Sequence, residues 1–181
     1  EYPGGSAANT IVGLARLGDK VGYIGKVSKD EGGRLLLRNL QEEKVDTRGV
    51  VISGAGSSGL VMGYVDQTGE RALYVDPGVN NTIELGEIGL DYASDTRFLH
   101  LTSFVGEHSF EAQKKLLELT TNVLVSIDPG ALYAKKGLEA LKPILRRSYV
   151  VFPNEKELRH LTRKGPETGA EILLKQGVKI V

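Results

Sequence analysis

Apolar residues recur at helical spacing near the start of the chain, where Ile11, Leu14, Ala15 and Leu17 share a face between the pair Gly4-Gly5 and Gly18. A tight turn, a helix over 7–17 and a glycine stop follow from that arrangement. Residues 21–27 read as a buried strand, and Asp30 as the cap of a helix running to Glu43 with Leu36, Leu37 and Leu40 on its inner face. Residues 50–75 behave differently, because short apolar and β-branched runs are separated by Ser53-Gly54, Gly56-Ser57-Ser58-Gly59 and Gln67-Thr68-Gly69-Glu70. Those are turn compositions between strands, so a small hairpin group, a flap inserted into the α/β chain, is expected there. After Asp76-Pro77-Gly78 the alternation resumes, with strands predicted near 98–101, 123–127 and 149–152 and helices near 110–120, 135–146, 155–161 and 167–176. The fold class is α/β, a mostly parallel sheet with helices on both faces. The chain begins without Met and stops in the apolar run Val178-Lys179-Ile180-Val181, which reads as the start of a buried strand, so a piece of a longer chain is expected.

Composition narrows the partners. With 181 residues, 40% of them apolar and 25% charged, the chain has enough apolar content for one real core. Lys plus Arg and Asp plus Glu each number 23, so no excess of positive charge is available for a nucleic-acid backbone or an anionic membrane. A small-molecule partner is expected instead, with no nucleic acid and no membrane. The absence of Cys removes disulfides, thiolate nucleophiles and Cys-ligated metals. No stretch approaches the roughly 18 apolar residues of a membrane span, and Glu1-Tyr2-Pro3-Gly4-Gly5 lacks the regions of a signal peptide, which predicts a cytoplasmic protein.

In open α/β sheets, ligands bind beyond the carboxyl ends of strands, where glycine turns allow close backbone approach and helix starts present free N–H groups. Three segments have that character. In Gly4-Gly5-Ser6-Ala7-Ala8-Asn9, two glycines open a helix whose first turn carries one carboxamide, able to donate to and accept from a substrate hydroxyl or else to bond local backbone. In Phe152-Pro153-Asn154-Glu155-Lys156-Glu157, a strand end precedes an amide and a carboxylate three residues apart, which suits either a ligand-facing pair or a capping arrangement. In Ser126-Ile127-Asp128-Pro129-Gly130, Asp128 either faces a ligand or forms the turn. No G-x-x-x-x-G-K-S/T loop occurs, which excludes a P-loop enzyme, and His100, His108 and His160 lack metal-ligand spacing. His100, in an apolar strand, reads as a hydrogen-bonded core residue. A dinucleotide-binding oxidoreductase fails because no G-x-G-x-x-G follows a strand.

Taken in order, Gly4-Gly5-Ser6-Ala7-Ala8-Asn9, Leu14-Ala15-Arg16-Leu17-Gly18, Ile24-Gly25-Lys26-Val27, Asp30 with Gly32-Gly33, and Val45-Asp46-Thr47 resemble the N-terminal signature of the ribokinase-like (PfkB) carbohydrate kinases. Gly69-Glu70-Arg71, Asp76-Pro77-Gly78-Val79-Asn80, and Asn154 with Glu157 are similar to later landmarks in the same order, so the resemblance covers essentially the whole chain. It implies a three-layer ribokinase-like sandwich divided as core 1–49, β lid 50–76 and core 77–181, and an ATP-dependent kinase acting on a hydroxymethyl group of a sugar or nucleoside. The resemblance also implies roles: Gly4 and Gly5 bring backbone to the sugar, Asn9 bonds its hydroxyls, Asn154 lies near phosphate and Glu157 orders Mg²⁺. The lid, in many members, pairs two subunits, which implies a homodimer through residues 50–76. The family's G-A-G-D motif, with its general base, is absent, so the base is expected beyond Val181 and the chain by itself is expected to be inactive. The first strand, with its substrate-binding Asp, is missing as well, and Thr102-Ser103 stands where ribokinases proper carry an acidic substrate contact. The alternative is a non-catalytic sugar-binding or regulatory protein of the same fold.

Overall fold

Gly5 adopts φ +113° and ψ 137°, a backbone region that residues with a Cβ rarely enter, and from it the chain turns into α1 (Ser6–Arg16). The helix closes as its sequence suggests: Gly18, at φ +98°, donates its N–H to the Ala15 carbonyl. The computed structural model describes residues 2–181, which form two compact units, one reaching Ile88 and the other comprising Gly89–Val181.

In the first unit, β1 (Gly25–Ser28) leads into α2 (Glu31–Glu42), capped by the Asp30 carboxylate, which accepts from the Gly33 N–H at 2.8 Å. The strand expected over 21–27 is shorter than its apolar pattern suggested. Residues 21–23 touch Asp46 through a single bridge at Gly22, and the ladder resumes only after the turn in which the Val50 N–H bonds the Thr47 carbonyl. There β2 (Val50–Ser53) pairs parallel with β1, Gly25 opposite Val50 through Ser28 opposite Ser53. Of the segment read as one β group, only 60–76 is a hairpin: β3 (Leu60–Val65) and β4 (Arg71–Asp76) pair antiparallel, with Val61 opposite Val75 and Met62 opposite Tyr74. Every residue of both strands is exposed. Two 3₁₀ turns, Gly78–Thr82 and Leu85–Glu87, complete the unit around Val27, Leu40, Val45, Val79, Ile83 and Ile88. The ammonium of Lys26, a residue of β1, donates to the Thr82 carbonyl at 3.2 Å and to both Glu87 oxygens at 2.6 and 2.8 Å, and holds the Glu87 carboxyl below its ordinary pKa.

The second unit begins with the short helix α3 (Leu90–Ser94) and a parallel sheet in the order β5 (Phe98–Thr102), β6 (Leu124–Asp128), β7 (Ser148–Val151). Val125, Ser126 and Ile127 of the middle strand are all buried although successive side chains point to opposite faces, so both faces are covered. The cover comes from α4 (Glu107–Leu119), α5 (Gly130–Lys136), α6 (Leu138–Arg147), α7 (Glu155–Thr162) and α8 (Pro166–Lys175), which contribute Phe110, Leu117, Tyr133, Leu141, Ile144, Leu145, Leu158, Leu161 and Leu173 to one core. The single helix expected over 135–146 is two, because Gly137 at φ +83° ends α5 and opens α6. The final residues join the sheet: Val151 donates to the Ile180 carbonyl at 3.0 Å, and Ile180 donates to that of Tyr149 at 3.0 Å. Among the described residues no helix is long and apolar enough to cross a membrane.

Candidate active site

The glycine turn and Asn9 sit together at the start of α1. The Asn9 N–H closes the first helical turn on the Gly5 carbonyl at 2.8 Å, and its side chain is exposed, with no hydrogen-bond partner among the described residues. The local alternative for this carboxamide, a bond to nearby backbone, is therefore not formed. Gly5 is required by its dihedral angles, whereas Gly4 is exposed and a Cβ added there would meet nothing within 4 Å. Packing within this chain does not demand a glycine at position 4; close approach of another molecule would.

Asn154 and Glu157 occupy the first turn of α7, directly after β7 and Pro153. They form a reciprocal capping box: Asn154 Oδ1 accepts from the Glu157 N–H at 3.0 Å, and Glu157 Oε2 accepts from the Asn154 N–H at 3.0 Å. Glu157 is buried and Asn154 exposed. The capping arrangement is thus real, and it leaves Asn154 Nδ2 and Glu157 Oε1 as the atoms that could engage a ligand. Among the described residues no group of three or more His, Cys, Asp or Glu side chains is placed to hold a metal by itself. A single carboxylate nevertheless suits Mg²⁺, which keeps several waters and is commonly held by one or two carboxylates together with substrate phosphates.

The remaining candidates behave as local structure. Asp128 Oδ1 accepts from the Gly130 N–H at 3.0 Å, the turn-forming role, while His100 Nδ1 lies 2.9 Å from Ser126 Oγ and burial pushes its imidazole below the ordinary pKa despite the opposing charge of Asp128. At the end of β5, the Thr102 carbonyl accepts from Gln113 Nε2 at 2.9 Å, and Gln113 Oε1 accepts from the buried Tyr133 hydroxyl at 2.8 Å. Burial raises the pKa of that phenol. This network fixes the backbone that carries Thr102-Ser103, and no local motif announces it because its members are 11 and 20 residues apart. Gly4, Gly5 and Asn9 belong to the first unit, and Asn154 and Glu157 to the second.

The family model described as "pfkB family carbohydrate kinase" matches residues 1–181. A relative from Archaeoglobus fulgidus, described as an uncharacterised sugar kinase, is 42% identical over 173 residues, covering 94% of this chain and 68% of its own length. The ATP-dependent ribose-1-phosphate kinase of Halopiger xanaduensis is 34% identical over 158 residues, covering 87% of this chain and 52% of its own length. Among solved structures, a candidate ribokinase II from E. coli in complex with ATP and Mg²⁺ superposes with a TM-score of 0.87 at 24% identity, over 98% of this chain and 60% of that one. At that identity the structural likeness shows the fold, which is the ribokinase-like α/β fold. The chain spans between about half and two thirds of the length of these proteins. By the match of the family model along its whole length, the chain belongs to the pfkB family of carbohydrate kinases.

Proposed function

We propose that the full-length protein transfers the γ-phosphoryl group of ATP to a hydroxymethyl group of a sugar or nucleoside. The observation that carries this reading is the start of α1, a glycine turn whose positive φ at Gly5 is followed one turn later by an exposed carboxamide at Asn9 with no hydrogen-bond partner among the described residues, in a chain matched throughout by a carbohydrate kinase family. A carboxamide both donates and accepts, so it recognises a sugar hydroxyl in either sense, and Gly4 and Gly5 let the backbone approach the sugar. Asn154 would offer its amide N–H₂ to a phosphate oxygen, and Glu157 would be the residue that holds Mg²⁺, through Oε1. When bound, Mg²⁺ shields the charge of the transferring phosphoryl group. The hairpin β3–β4, exposed throughout and largely apolar between its charged ends, is the lid that covers the substrate and pairs a second subunit into a homodimer. No G-A-G-D motif occurs in residues 1–181, so on this reading the general base lies outside them and the chain alone does not turn over. On this reading the protein works in the cytoplasm.

The test is a phosphorylation screen of the full-length protein over ribose, fructose, 2-keto-3-deoxygluconate and nucleosides, following ADP release and the phosphate ester together. ATP-dependent ester formation with one of these classes is expected. Sugar binding without ATP consumption would instead establish the non-catalytic reading, and hydride transfer to NAD would overturn both.

A further inference from the structure

The hairpin β3–β4 is exposed along both strands, yet its root is built tightly. The Asp30 carboxylate that caps α2 also reaches across to residue 58: Oδ1 accepts from Ser58 Oγ at 2.6 Å in addition to the Gly33 N–H, and Oδ2 accepts from the Ser58 N–H at 2.7 Å. Ser58 Oγ accepts in turn from the Ser28 N–H at 2.9 Å, and Ser28 Oγ donates to the Gly56 carbonyl at 2.7 Å. Both serines are buried. The returning leg is fixed to the same place. The Val79 N–H donates to the Ser57 carbonyl at 2.8 Å, and Gly78, at φ +51°, packs so closely that a Cβ would lie 2.2 Å from the Ser57 oxygen. The Ser58 hydroxyl and backbone N–H hold the Asp30 carboxyl below its ordinary pKa, as expected of a carboxylate that accepts several hydrogen bonds.

We propose that Asp30 is a positioning residue for the hairpin: through Ser58 it fixes both legs of the hairpin root to the β1–α2 junction and so sets the angle at which the lid meets the sugar. The link to the sugar rests on the lid reading given above; the tie between Asp30 and the root does not. A side chain that only capped α2 would need one oxygen toward Gly33. Here one oxygen is shared between cap and root, and the other serves the root alone. The hairpin itself has no buried residue to hold it, so the root is where its orientation is decided.

Two variants of the full-length protein separate cap from root. Asp30→Ser keeps an N-cap hydroxyl for Gly33 but is too short to reach Ser58, and Ser58→Ala leaves the α2 cap untouched. Amide hydrogen exchange over 57–79 and over α2 is read alongside the apparent constants for sugar and for ATP. In both variants exchange in 57–79 should speed up about tenfold, the size expected for loss of hydrogen bonds to a charged acceptor, while α2 keeps its protection. The apparent constant for the sugar should rise about tenfold, that for ATP staying unchanged. Equal acceleration in α2, or none in the hairpin, would overturn the tie. A faster hairpin with an unaltered sugar constant would overturn the positioning role. A wild-type protein that phosphorylates no sugar would refute the function proposed above, and the exchange measurement would still decide whether Asp30 holds the root.

Discussion

Replacing Glu157 by Gln in the full-length enzyme separates two roles that the structure superimposes on one side chain. Gln retains a carbonyl oxygen able to accept the Asn154 N–H now bonded at 3.0 Å, and it is itself an accepted partner in a capping box, so the geometry of the first turn of α7 should survive. What is lost is the charge. A charge-assisted bond becomes a neutral one and the favourable term with the helix N-terminus disappears, together about 1 kcal/mol. For a chain of about 150–250 residues that corresponds to a fall of about 2–4 °C in Tm, and for a longer one to less. If Oε1 acts on Mg²⁺-bound water, turnover should fall and the Mg²⁺ concentration for half-maximal turnover should rise about tenfold, while sugar binding without nucleotide stays near wild type. The assay is initial rate against Mg²⁺ at fixed ATP, with a thermal melt on the same preparation. A small fall in Tm with an unchanged Mg²⁺ profile would refute the metal role and leave Glu157 as a capping residue only.

Asn9→Ala should raise the apparent constant for the sugar by roughly 2- to 13-fold, the worth of one neutral hydrogen bond, with stability within about 0.5 kcal/mol of wild type because the side chain is exposed and has no hydrogen-bond partner among the described residues. A lowered melting temperature with an unchanged sugar constant would contradict it. Two glycine-to-alanine changes should differ in sign under urea denaturation. Gly13→Ala, in the middle of α1 with nothing within 4 Å of the added Cβ, should stabilise by about 0.5–1 kcal/mol, whereas Gly33→Ala places a Cβ 2.0 Å from the Ser28 carbonyl oxygen and should destabilise despite the better helix propensity. His100 is held below its ordinary pKa in the folded protein, so the unfolded chain binds more protons below about pH 6.5 and folding stability should drop as pH falls from 7 toward 5.5. That drop should be smaller in His100→Asn, and an identical drop in both proteins would exclude His100 as its source.

Elements with a local signal were legible in the sequence. Asp30 and Asn154 announced helix starts because an N-cap is satisfied within three residues, and Gly18 announced a stop because only its own φ was at issue. Where the deciding contact is distant, the pattern misled. Val50-Val51-Ile52-Ser53 has the composition of a hairpin strand, and only its parallel pairing with Gly25–Ser28 removes it from the flap. Asp128-Pro129-Gly130 reads as a turn, and it is one, but α5 starts on Gly130 and its Tyr133 is fully buried, a consequence of the core it enters. The candidate site divides the same way. The Asn154–Glu157 pairing follows from a three-residue spacing, whereas the tie from Asp30 to Ser58 spans 28 residues and has no signature in either segment.

The hairpin shows why such a distant tie matters more than the composition of the strands it holds. Val61, Val65 and Val75 stand on one face and Met62, Tyr64 and Tyr74 on the other, all exposed, so neither face is stabilised by burial within this chain. A two-stranded ribbon without a packed face is marginal in water, and its cross-strand pairs contribute only about 0.2–1 kcal/mol each. The ribbon's orientation is then set at its root, while its tip holds only its own turn. At the tip, Asp66 accepts from the Thr68 and Glu70 N–H groups and closes the turn; at the root, the Asp30 carboxylate and the close packing of Gly78 against Ser57 close the other end. A ribbon tied at its root, with mostly apolar side chains exposed on both faces, leaves those side chains free to be buried by something else.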